Sequence, residues 1–91
     1  MELKKSIHSQ DYRYLLSLLK RQRKNLGILQ EALSFELGKA SSFVSKVERA
    51  ERRLDTLELI YYAQALQLDP KKFICDFIDT LNLVENRLHL R

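Results

Sequence analysis

Only three residues in this chain strongly interrupt regular structure, Gly27, Gly38 and Pro70, and each stands between segments whose apolar residues recur at helical spacing. Punctuation so sparse cannot supply the turns of a many-stranded β domain. The leucine, lysine and glutamate content favours helices, so an all-α fold is expected. Ninety-one residues, 45% apolar and 31% charged, suffice for one modest core. The expected unit is a single domain over residues 1–91, with its core over about 11–74.

Five helices follow from the spacing. The first is expected from an N-cap at Asp11 to Asn25, with Tyr12, Leu15, Leu16 and Leu19 on one face. Its last turns carry "KRQRK", where cations suit the helix dipole, and Gly27 ends it. A second helix runs from Leu29 or Gln30 to Leu37, with Leu33 and Leu37 inward and the small Ser34 allowing close approach of another helix. Gly38 makes the turn, and a third helix is expected over 41–49. At 100° per residue, Ala40, Val44 and Val47 fall inward, while Ser41, Ser42, Ser45, Lys46 and Arg49 share the opposite side. Three serines lower helix propensity, so something other than solvation should explain that face.

The fourth helix opens at Asp55, with Glu58 three residues later completing a capping box, and is expected to reach Gln67. Leu57, Ile60, Ala63 (or Gln64) and Leu66 give its apolar spacing. "LDPKKF" then announces a fifth helix, with Asp69 as N-cap and Pro70 in the first position. This helix is expected over about 70–88. Its stripe of Phe73, Ile74, Phe77, Ile78, Leu81, Val84 and Leu88 is broad enough to cover the domain's core and still offer a partner surface.

Charge is uneven: residues 1–53 hold twelve Lys/Arg against six Asp/Glu, and the remainder four against six. A clustered positive half suits either a polyanion partner or a solvated basic surface. The single cysteine, Cys75, allows no internal disulfide or metal cluster and reads as a small packing residue in a reducing compartment. No apolar run approaches the roughly 20 residues of a membrane span, and the N-terminus lacks a signal-peptide pattern. A cytoplasmic protein without membrane association or cofactor is expected. No nucleophile, acid–base or metal-ligand constellation points to an enzyme.

The ordered residues "LQEALSFELGKASSFVSKVERAERRLDTLELIYYAQALQLDPKKFI" resemble the DNA-binding domain of the phage-repressor/Cro-like family, the XRE family of helix-turn-helix regulators. The resemblance covers about residues 15–74. It includes Leu19, Lys20 and Arg23 ahead of Gly27, the Gln30-Glu31 opening, Leu37-Gly38, "VSKVER" and "AQALQLDP". It implies a compact five-helix, lambda-repressor-like DNA-binding domain, here with an extended C-terminal helix. Helix two would lie across the DNA backbone and helix three would enter the major groove.

Carried onto this sequence, the resemblance implies base contacts from Ser41, Ser42 and Lys46, with Ser45 touching a base or a phosphate. Gln30, Arg49, Arg52, Arg53, Lys20 and Arg21 are the implied phosphate contacts. Arg23 and Glu48 match an internal pair that holds helix one to helix three. Phe43 reads first as a packing residue, its edge also able to meet a thymine methyl. Three departures matter: Lys39 replaces an apolar turn residue, Ala40 replaces a serine cap and Ala50 replaces a glycine. Ser41 or Ser42 would then have to cap helix three. A left-handed alanine would cost about 1 kcal/mol, leaving room for a different link after that helix.

The function implied is a sequence-specific transcriptional regulator of repressor type, a homodimer binding double-stranded DNA at a near-palindromic operator through helix 41–49 in the major groove. Phe77, Ile78, Leu81, Val84 and Leu88 are the expected dimerisation residues, and no small-molecule effector domain is expected. The alternative is a protein-interaction adaptor or antitoxin that uses the C-terminal helix and binds DNA weakly.

Overall fold

The computed structural model describes residues 9–88, the stretch from 82 onward as helix backbone only. It contains α1 (Gln10–Asn25), α2 (Gln30–Glu36), α3 (Phe43–Glu48), α4 (Thr56–Ala65) and α5 (Pro70–Leu88), with no strand among the described residues. The fold is all-helical, as the sparse breakers require.

Local rules account for most boundaries. Ser9, not Asp11, caps α1: its hydroxyl accepts from the Tyr12 amide at 3.0 Å, and Asp11 moves into the first turn. That turn exposes unpaired amides and therefore suits a carboxylate. Asp55 and Glu58 form the expected capping box at 2.7 and 3.0 Å. Asp69 accepts from the amides of Lys71 and Lys72, with Pro70 opening α5 as expected.

The first four helices all end the same way. After α1, α2, α3 and α4 comes a residue with positive φ: Gly27 (71°), Gly38 (70°), Ala50 (60°) and Gln67 (62°). In each case its amide and the next one bond back to the last turn. For α3, these are Ala50 to the Val47 carbonyl at 2.9 Å and Glu51 to the Lys46 carbonyl at 2.8 Å. The link after α3 thus keeps the left-handed form despite lacking glycine, because two satisfied carbonyls and the buried Ala50 methyl offset the strain.

The core gathers Leu15, Leu16 and Leu19 of α1, Leu33 of α2, Phe43, Val44 and Val47 of α3, Ala50, and Tyr62 and Leu66 of α4. The stripe of α4 differs from expectation. It runs through Leu59, Tyr62, Ala63 and Leu66, whereas Leu57 is exposed and Ile60 only half-buried. One residue of offset turns a helix by 100°, and the face that turns inward is the one carrying Tyr62, packed against Phe43. Ala40 is likewise exposed in the turn instead of facing inward. The Gln22 side chain donates to the Leu66 carbonyl at 2.9 Å and the Leu54 amide donates to the Tyr12 hydroxyl at 3.2 Å, tying α1 to both ends of α4.

The inner side of α5 closes the core with Phe73 and Phe77. Phe77 stacks on Tyr14 at 6.1 Å and is half-buried within its own domain. Ile78 is exposed and Leu81 half-buried; the Val84 and Leu88 side chains lie outside the described residues. Cys75 is exposed and does not pack.

Candidate nucleic-acid interface

At six residues, α3 is too short to persist without tertiary support. Val44 and Val47 are wholly enclosed behind it and Phe43 nearly so, in edge-tilted contact with Tyr62 at 6.4 Å. The expected start at residue 41 is not observed. Residues 41 and 42 form a turn in which the Phe43 amide donates to the Ala40 carbonyl at 2.9 Å. The missing family cap is supplied from another helix: Ser34 of α2, 0% exposed, accepts the Val44 amide on its Oγ at 2.9 Å. Ser41 and Ser42 need not cap α3, and their hydroxyls make no hydrogen bond among the described residues.

The trailing end of α3 is fixed by Glu48. Arg23 donates from Nε and Nη2 to its two carboxylate oxygens at 2.6 and 3.1 Å, and from Nη1 to the Ile28 carbonyl at 2.7 Å. Gln30 adds a bond to the same carboxylate at 2.9 Å. The Arg23 and Glu48 side chains are only 9% and 5% exposed. A buried, fully satisfied pair of this kind fixes one arrangement, and removing either partner would strand a charge. Arg23 and Glu48 are therefore structural, and Gln30 is half-buried at the junction of α1, α2 and α3.

The outer side carries the expected polar surface. Ser41, Ser42 and Lys46 are exposed, and the Lys46 ammonium makes no hydrogen bond or ion pair among the described residues. Ser45 is half-buried and donates to the Ser42 carbonyl at 3.0 Å. Arg49 forks onto Glu51 at 2.9 and 3.0 Å in full solvent. That hydrogen bond raises the Arg49 pKa and lowers that of Glu51.

Around this surface the cations divide. Arg53 is exposed. Lys20 lies in a groove with Arg13, Glu48, Arg49 and Ala50, next to the end of α3. Arg21 lines a different groove, with Phe73, Asp76 and Phe77 toward α5, so α1 splits these neighbours between two sides. Arg52 forks onto Glu58 at 2.9 and 2.7 Å and lies 5.1 Å from the centre of the Phe43 ring.

Two participants were not anticipated from sequence. Helical spacing marks Ser34 only as small, although a polar side chain at a position enclosed by apolar neighbours must find a partner. The Lys39–Glu58 contact, at 2.9 Å, joins residues nineteen apart and has no local signal.

The geometry is that of two short helices joined by a tight left-handed turn, the second supported from behind and open in front. The helix-turn-helix family profile matches residues 19–73. The chain belongs to the XRE helix-turn-helix family. An XRE-family like protein from Pseudomonas syringae pv. tomato str. DC3000 is similar in structure, with a TM-score of 0.76 and 39% identity. The match covers 85% of this chain and 94% of that one. No curated protein matches. As an XRE-family member the chain has the fold of a DNA-binding regulator. Among its described residues no helix is long and apolar enough to cross a membrane, and no group of three His, Cys, Asp or Glu is placed to hold a metal.

Proposed function

We propose that this protein is a sequence-specific, cytoplasmic DNA-binding regulator that acts by occupying promoter DNA. The turn before α3 and α3 itself enter the major groove. Ser41, Ser42 and Lys46 meet base edges; Lys46 suits guanine O6 or N7, and the serines accept or donate. Ser45, its proton already given to the Ser42 carbonyl, contributes as an acceptor. Phosphates are met by Gln30, Lys20, Arg49, Arg52 and Arg53. Arg21 serves the same role only for a backbone that also approaches the α5 side.

The observation that carries this reading is the release of Ser41 and Ser42 from capping by the buried Ser34. A reading surface needs donors and acceptors not already consumed by the fold. Two copies paired through the outer part of α5, by Ile78, Leu81, Val84 and Leu88, would present two such surfaces to a near-palindromic operator.

Selection from random duplexes, followed by salt titration of the recovered site, tests the proposal. A symmetric enriched sequence whose affinity falls steeply with salt is expected. Lys46→Ala should relax preference at one position per half-site and lose about 1–3 kcal/mol, while Arg53→Ala weakens all sequences alike. No enriched sequence would reject this reading in favour of the adaptor that uses the C-terminal helix.

A further inference from the structure

One carboxylate at the leading end of α3 is surrounded by donors. Glu58 accepts from Arg52 at 2.9 and 2.7 Å, from Lys39 at 2.9 Å and from the Asp55 amide at 3.0 Å. Lys39 belongs to the turn before α3 and Arg52 to the link after it, so Glu58 draws together the two connections that flank the helix. Both cations also lie over Phe43, the first residue of α3, with Nζ 5.4 Å and Cζ 5.1 Å from the ring centre.

An arginine fork and an ammonium converging on two oxygens is also the arrangement that grips a phosphate. The Lys39 and Arg52 side chains remain 37% and 42% exposed, while Glu58 is 13% exposed. The cations therefore stand on the solvent side of the carboxylate, over Phe43, the first residue of α3. Ion pairs this exposed are weak enough for a polyanion to displace.

We propose that Glu58 is a built-in substitute for a DNA phosphate, holding Lys39 and Arg52 beside the leading end of α3 until the duplex backbone takes both over. This rests on the DNA-binding reading. Holding the cations in place reduces the side-chain freedom lost on binding. The competing carboxylate meanwhile lowers affinity for duplexes of every sequence, leaving Ser41, Ser42 and Lys46 to decide which site is occupied. Glu58 is thus a positioning residue and Lys39 a further phosphate contact.

Glu58→Gln isolates this role, because glutamine also serves in a capping box and preserves the start of α4. Binding to a random-sequence duplex is measured by fluorescence anisotropy across a salt series, with circular dichroism to verify folding. Glu58→Gln should bind on the order of tenfold more tightly than wild type at about 0.1 M salt. Lys39→Gln should bind more weakly, its slope of log affinity against log salt shallower by about 1. Wild type that binds while Glu58→Gln gains nothing, or while Lys39→Gln changes nothing, overturns the proposal and leaves the DNA-binding reading intact. Wild type and Glu58→Gln both silent at the lowest salt would remove the DNA-binding reading, and this proposal with it. Should Glu58→Gln not fold, Lys39→Gln decides alone, since residue 39 occupies an exposed turn.

Discussion

The two ends of α3 are held by the same chemistry in different surroundings. At the trailing end, Glu48 receives Arg23 and Gln30 inside the domain; at the leading end, Glu58 receives Arg52 and Lys39 at its surface. Burial determines what each cluster does. The inner one has little water to replace a lost partner and fixes the helix, whereas the outer one has cations open to solvent and loses less when a partner is removed. One helix is thereby rigidly placed and adjustably charged.

The sharpest way to break this comparison is to remove the inner carboxylate. Glu48→Ala leaves Arg23 buried without its partner and should destabilise the fold by about 3–5 kcal/mol in urea denaturation. A loss below about 1 kcal/mol would show that water reaches the cluster. Next comes the neutral anchor at the leading end. Ser34→Ala leaves the Val44 amide without its partner and should lower stability by about 1–3 kcal/mol. If base preference survives in the folded fraction, the serine acts through the fold alone.

No larger is the expected effect of Glu58→Gln on stability at neutral pH, about 1 kcal/mol once the depression of the Glu58 pKa is discounted for solvent screening of the exposed Arg52 and Lys39. Its pH dependence sharpens the contrast. The Arg52 fork, with help from the Asp55 amide and Lys39, lowers the Glu58 pKa from 4.5 to about 2. A carboxyl with a depressed pKa stabilises the fold above 4.5, and that stability is lost as pH falls toward 2. The gap between wild type and Glu58→Gln should therefore be constant above about pH 5 and close between about pH 4.5 and 2 in thermal melts. A gap that persists at the acid end would mean that the pair contributes through packing on Phe43 instead of charge.

Much of this architecture could be read before the structure, because its causes are local. Gly27, Gly38 and Pro70 mark three of the four connections, and the Asp55–Glu58 and Asp69–Pro70 pairs place two helix starts. The Arg23–Glu48 pair was implied by the family resemblance, and geometry agrees with it. What escaped prediction depends on partners distant in sequence. The start of α3 was placed two residues early because Ser34, ten positions before Val44, supplies its cap. Leu57 is exposed and Tyr62, which the spacing did not single out, is buried because it packs against Phe43, nineteen positions away. Lys20 and Arg21, adjacent in sequence, reach different grooves because neighbours on a helix diverge by 100°.

The Ser34–Val44 bond also bears on how such a domain can change over generations. Positions 41 and 42 carry no obligation to the scaffold, so their side chains can be exchanged without loosening the helix behind them. Under the proposed DNA-binding reading, a lineage built this way can change base preference at those two sites while its folding free energy remains where it was.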